Sequence, residues 1–240
     1  MTDRKADKKL RIADTITEDL LAKILGGEIK PGDKLAPERE LAVIYNTNRN
    51  TLREAIRNLQ TLNLLDVRHG DGLRIKDFRT AGELHLLPQY FKHCVNENER
   101  LAVFEEVLSF RKTMLIELVG EVASNRSQED LAALKRIIDH QHSQSGDPGK
   151  MLLSDVEFNK ILVRASHNQT AYWIFNTLVK LYQEIIADFS SLGLISNNYL
   201  DFLDKLYDAI RTRDAKTARS VIEQHLISSD KMVLTMLRVL

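Results

Sequence analysis

Arg49, Arg53 and Arg57 recur every four residues, with Asn48, Asn50 and Thr51 gathered around the first of them. In a helix this spacing places the guanidinium groups on one face, beginning at the helix start. Arginine can hold guanine through two hydrogen bonds, asparagine can do the same with adenine, and threonine can bond a phosphate oxygen. The cluster therefore suits gripping and reading duplex DNA, although a plain solvated charge row is the commoner meaning of such a face. A second group has a different character. Arg111, Asp155, Asn159 and His225 fall inside apolar stripes when the chain is laid on helical wheels at about 100° per residue. Arg111 stands among Phe104, Leu108, Leu115 and Leu118, Asp155 and Asn159 among Leu152, Phe158, Leu162 and Val163, and His225 among Val221, Ile222, Met232 and Val233. Burying such groups is costly unless they pair, ligate a metal or meet a ligand, so they point either to a polar pocket or to an internally satisfied core network.

Other chemistry is weaker. His140 and His142 stand two apart and so point to different helix faces, which does not suit a shared metal even with His93 and Cys94 upstream. No phosphate-loop, Gly-x-Ser-x-Gly or His-Glu-x-x-His pattern occurs, so no enzyme is expected, and His167 and Glu157 read as surface or packing residues. Tyr172, Trp173, Phe175 and Tyr182 on one helical segment read as core or dimer contacts.

The elements that must position these residues are legible in the pattern. Ile12, Ile16, Leu20, Ile24 and Leu25 mark a helix from Leu10 that stops at Gly26-Gly27, and Ile29-Lys-Pro-Gly-Asp-Lys-Leu35 is a turn. Pro37 suits the first position of a short helix through Tyr45, which Asn46-Thr47-Asn48 breaks. From Arg49 a third helix packs Leu52, Ala55, Ile56, Leu59 and Leu62, and two short strands, Leu64–Arg68 and Leu73–Lys76, flank His69-Gly70-Asp71-Gly72. Helix, helix, helix, hairpin is the order of a winged helix-turn-helix, whose second motif helix enters the major groove. After Phe78 the pattern is helical throughout, with starts marked by Ser127 and Asp130, by Asp147-Pro148 and by Asp214. The expected fold is mostly α, with a winged helix over 1–79 and an all-α bundle of six or seven helices over 80–240.

With 240 residues, 43% of them hydrophobic, and 34 basic against 34 acidic side chains, the chain reads as packed globular domains of zero net charge. Its single cysteine, Cys94, excludes an intrachain disulfide and a Cys-rich zinc site. No stretch reaches the length of a membrane span and the start carries no apolar signal segment, so a cytoplasmic location is expected. The neutral total hides a division: residues 1–79 hold 16 basic and 13 acidic side chains, a net +3, which leaves −3 for the remainder.

Ile29-x-Pro-Gly-x-x-Leu35, Pro37-Glu-Arg-Glu-Leu41, Asn48-Arg-Asn-Thr-Leu-Arg-Glu-Ala55, Leu59 and Leu65-x-x-Arg-His-Gly70 together resemble the GntR family of bacterial transcription regulators, in its FadR-like branch. The resemblance implies Arg39 and Arg49 as main base or phosphate contacts, Arg53 and Thr51 as phosphate contacts, and His69 and Gly70 as wing contacts in the minor groove. Asn48 and Asn50 stand where the branch often has Thr. It further implies a homodimer on double-stranded operator DNA, and an effector bound by Arg111, Asp155, Asn159 and His225 in the helical domain. Asp155-Val-Glu-Phe-Asn159, Ala165-Ser-His-Asn168 and the Ala218–Leu226 segment are similar to that domain's motifs. Metal-binding members carry an aspartate and three histidines where this chain has Asp155, Asn159, Leu203 and His225, so no metal and no cofactor is expected. The effector is then an acyl-coenzyme A or a small organic acid. Gln224 and Lys231 stand where an acyl-coenzyme A sensor is expected to carry glycine and tryptophan. The alternatives are a metal-dependent carboxylate sensor of the same family, and a small-molecule-binding or catalytic helical protein that uses its winged helix for protein contacts.

Overall fold

A computed structural model of the chain describes residues 2–68, 72–146, 148–187 and 198–238. They divide into two compact units, Met1–Arg100 and Leu101–Leu240.

The first unit opens with α1 (Thr2–Leu25), α2 (Glu38–Ile44) and α3 (Arg49–Thr61), followed by an antiparallel hairpin of β1 (Leu65–Arg68) and β2 (Gly72–Ile75). Ala13, Ile16, Leu20, Leu21 and Ile24 of α1 are buried, as are Leu52, Ala55, Ile56 and Leu59 of α3, and the two helices pack together. Ile12 departs from the expected stripe: it is 38% exposed, because the buried line runs through Ala13 and Leu21 instead. Between α2 and α3 the chain reverses in a few residues. Asn46 adopts φ 45°, a left-handed conformation that asparagine tolerates, and the Asn48 side chain then accepts the Thr51 N–H at 3.0 Å to start α3. Asn63, at φ 58°, ends α3 in the same way, and the Leu64 N–H returns to the Leu59 carbonyl. Leu65 faces Ile75 and Val67 faces Leu73 across the hairpin.

The segment beyond Arg79, expected to open the helical domain, belongs to the first unit instead. It forms α4 (Phe78–Ala81), a short 3₁₀ turn (Leu84–Leu86) and α5 (Leu87–His93), which packs on α1 with Leu86, Tyr90 and Cys94 buried. Glu18 of α1 accepts hydrogen bonds from Lys92 Nζ at 2.5 Å and pairs with His93 Nε2 at 3.0 Å. These contacts move the boundary from Arg79 to Arg100.

The second unit is helical among the described residues. It holds most of α6 (Glu97–Asn125), then α7 (Gln128–Ser143), α8 (Pro148–Ala165), α9 (Gln169–Ala187), α10 (Tyr199–Arg211) and α11 (Ala215–Leu237). Its core includes Leu115, Val119, Leu134, Phe158, Leu162, Phe175, Leu203, Leu206 and Ile222. The anticipated starts are visible. Ser127 and Asp130 form a reciprocal capping box on α7, and Asp214 Oδ1 accepts the Thr217 N–H at 2.9 Å at the head of α11. Asp147 lies outside the described residues. No helix among those described is long and apolar enough to cross a membrane.

Candidate nucleic-acid interface and effector pocket

At the start of α3 the sequence-predicted residues take distinct roles. Arg39 and Arg49 are exposed and make no side-chain hydrogen bond or ion pair among the described residues, and Asn50 is exposed beside them. Arg49 and Asn50 stand at the positive end of the α3 macrodipole, which favours phosphate, and Arg39 stands in the first turn of α2. Asn48 is occupied as the helix cap. Arg53 Nε pairs with Glu38 Oε2 at 2.8 Å, with 57% of its side chain still exposed. Glu38, which the sequence reading passed over, thus ties α2 to α3 directly behind the basic cluster. Thr51 corrects an expectation: it is 1% exposed, so its hydroxyl is turned into the unit and is not presented to a phosphate. His69 and Gly70 lie outside the described residues.

The second group converges. Arg111, Asp155 and Asn159 line one cavity of about 20 Å³ together with Val156, Phe175, Leu178 and Val179. Each polar group has an internal contact. Arg111 Nη2 donates to Asp230 Oδ1 at 2.5 Å, Tyr199 O–H donates to Asp155 Oδ1 at 2.7 Å, and Asn159 Nδ2 donates to Asp155 Oδ2 at 3.1 Å. Gln141 Nε2 donates to the Tyr199 oxygen at 3.1 Å, which extends the network into α7. His225 stacks on Phe202, with ring centroids 3.8 Å apart and planes 8° from parallel. Burial pushes the His225 pKa below its ordinary value, the nearby Asp155 charge opposes that shift, and Arg111 adds to it. The imidazole is therefore neutral near pH 7.

Two local devices aim these side chains. In Ala165-Ser-His-Asn168 the Asn168 side chain accepts the Ala171 N–H at 3.0 Å, and His167 turns the chain at φ 58°, so that α9 starts where Phe175 reaches the cavity. Asp155 and Asn159 stand one helical turn apart, on one side of α8. The sequence reading missed Tyr199, Gln141 and Asp230. Asp230 carried a signal, since it continues the buried line of Ile222 and Leu226 at i, i+4 and i+8. Tyr199 carried little, standing at the first position of α10.

The donor set does not fit a transition metal. Both oxygens of Asp155 receive protein donors, Asn159 presents its N–H₂ to that carboxylate, and Leu203 fills the core where a third ligand would stand. Among the described residues no three His, Cys, Asp or Glu side chains gather as ligands. His142 pairs with Asp204 and His140 with Gln144, so these two have separate partners. His167 bonds Asp130 at the surface, and Glu157 pairs with Lys160. Phe175 is buried at the cavity, Trp173 is 64% exposed, and the Tyr182 side chain lies outside the described residues.

A winged helix with a basic, exposed helix start, in one chain with a helical bundle around a polar pocket, defines a DNA-binding regulator with a sensing unit. The comparisons agree. Residues 12–75 match the model for bacterial regulatory proteins of the gntR family, and residues 106–228 match the FCD domain. The transcriptional repressor NanR of Cronobacter sakazakii is 25% identical over 227 residues, spanning 94% of this chain and 86% of its own. The transcriptional regulator LutR of Bacillus subtilis is 23% identical over 215 residues, spanning 88% of this chain and 95% of its own. The solved structure of Lar from Listeria monocytogenes shares the fold, with a TM-score of 0.58 at 17% identity over 92% of this chain and 95% of that one. The chain belongs to the GntR family, in its FadR-like, FCD-domain branch, and is a transcription regulator with an effector-binding domain.

Proposed function

We propose that this regulator binds a pseudo-palindromic operator as a homodimer, contacts it through Arg39, Arg49, Asn50 and Arg53 with the wing at His69 and Gly70, and responds to a small carboxylic acid bound beside Arg111. The observation that carries the sensing half is the convergence of Arg111, Asp155 and Asn159 on one cavity, with His225 close enough to feel both charges. An arginine is the natural partner of a carboxylate, and the neighbouring Asn159 and His225, held in place by the Asp155 network, offer hydrogen bonds to the rest of a small polar molecule. Control follows as a population shift: effector binding favours an arrangement of the dimer whose two reading helices match the operator differently.

The test uses a mobility-shift assay with the promoter beside the regulator's own gene. Arg49→Ala is expected to lower operator affinity roughly tenfold or more, the scale of losing a bidentate base contact, with an unchanged circular dichroism spectrum. Arg111→Ala is expected to bind the operator like the parent but to lose its response to effector. Unchanged operator affinity in the first variant would remove Arg49 from the interface. Mass spectrometry of ligands retained on native purification separates a small acid from an acyl-coenzyme A.

A further inference from the structure

Among the described residues, two carboxylates stand near Arg111, and they are used differently. Asp155 is committed to Tyr199 and Asn159 through its two oxygens. Asp230 is set against the guanidinium itself, Oδ1 to Nη2 at 2.5 Å, across α11 and α6, with the two side chains only 11% and 10% exposed. A buried ion pair of this kind stabilises little in net terms, because the attraction must offset the removal of both charges from water. Burial accordingly pushes the Asp230 carboxyl up from its ordinary value, against the lowering by Arg111 and Lys112. The carboxylate is therefore held in poor surroundings by its contact with Arg111, and another carboxylate can take over that contact without changing the charge on the arginine. Lys112, the next residue along α6, is the other cation whose charge reaches Asp230.

We propose that Asp230 is an internal stand-in for the effector: its carboxylate occupies Arg111, and an incoming carboxylate acts by displacing it and loosening α11 from α6. The proposal rests on reading the cavity as the effector pocket. It makes Asp230 a specificity-determining residue, since an uncharged ligand cannot replace it at Arg111, and it makes Lys112 the partner of the displaced group. Arg111 and Lys112 on α6, Asp155 on α8, Tyr199 on α10 and His225 on α11 are charged or titratable side chains around the exchange.

The test titrates the full chain with sodium acetate, succinate and citrate at constant ionic strength, following heat of binding and operator affinity. Asp230→Asn keeps the shape and removes the competing charge. It is expected to bind the best of these acids roughly tenfold more tightly than the parent, as expected when a competing charge is removed, and to show without ligand the operator affinity of the ligand-saturated parent. Equal or weaker acid binding by the folded variant overturns the proposal while leaving a carboxylate effector in place. Failure of both proteins to bind any of the acids overturns the proposal and the carboxylate reading together, and binding of palmitoyl-coenzyme A in that case identifies the other ligand class. If Asp230→Asn does not fold, Lys112→Gln decides: loss of the receiving cation is expected to weaken acid binding about fivefold, and an unchanged affinity overturns the exchange.

Discussion

Tyr199 shows what one hydroxyl can join. It donates to Asp155 and accepts from Gln141, so α7, α8 and α10 meet at a single oxygen inside the bundle. Tyr199→Phe removes that oxygen and leaves the Gln141 amide and the Asp155 carboxylate each short of a partner. A loss of about 1–3 kcal/mol is expected, the usual cost of an unsatisfied buried group, read as a lower denaturant midpoint with an unchanged slope. His225 gives a pH signature of definite sign. Burial holds its folded-state pKa down, whereas in the unfolded chain it titrates near about 6.5. Between those two values the unfolded chain binds the proton that the folded one refuses, so stability falls as pH drops through the window. The parent's thermal midpoint is expected to decline as pH falls below about 6.5, and His225→Phe, which preserves the stack on Phe202, is expected to flatten that decline. An equal decline in both proteins would place the responsible group elsewhere. On the DNA side, the Arg53–Glu38 pair is exposed and contributes at most about 1 kcal/mol to stability. Glu38→Gln is therefore expected to leave the melting temperature nearly unchanged while lowering operator affinity a few-fold, because Arg53 loses the contact that aims it.

At the scale of elements, Asn48 is the test of whether a side chain at the reading end serves DNA or the helix. Its side-chain oxygen already accepts the Thr51 N–H, so Asn48→Ala is expected to cost about 1 kcal/mol of stability, measured by urea unfolding, and to weaken operator binding only as far as the first turn of α3 frays. The same distinction explains which parts of the fold were legible in the sequence. α1, α2, α3 and the hairpin follow from stripes, caps and turn residues that act within a few positions, and the Ser127 and Asp214 caps of the bundle are local in the same sense. Thr51 was misplaced because its polarity suggested an outward role, although it continues the buried line of Ala55 and Leu59 at i, i+4 and i+8. The end of the first unit was misplaced for a nonlocal reason. Leu86, Tyr90 and Cys94 form an apolar line that would fit the start of a bundle equally well, and only their packing on α1, with Glu18 between Lys92 and His93, assigns them. The pocket was half legible. An apolar stripe reveals which polar residues turn inward, but it does not reveal that Asp230 and Tyr199 are their partners, since those pairings span 119 and 44 positions.

For the whole molecule the decisive quantity is how its charge is divided. Zero net charge is the sum of +3 in residues 1–79 and −3 in the remainder, so no broad positive field draws this regulator to arbitrary DNA. Affinity must come from a few guanidinium groups at fixed positions, and their number is open to measurement. If Arg39, Arg49, Arg53 and Arg57 each neutralise one phosphate in both protomers of a dimer, about eight counterions are released and the log–log salt slope of operator binding is about −7. Arg57 is exposed one helical turn beyond Arg53, and in the proposed contact set it grips phosphate rather than a base. Arg57→Ala is therefore expected to make the slope less steep by about 2, one contact per protomer, while leaving the preference among operator variants unchanged. Fluorescence anisotropy at several potassium chloride concentrations, on the operator and on a scrambled duplex, measures both quantities. A slope that stays the same in Arg57→Ala would confine the contact surface to the first turn of α3 and the start of α2. A loss of preference would instead turn Arg57 towards the bases.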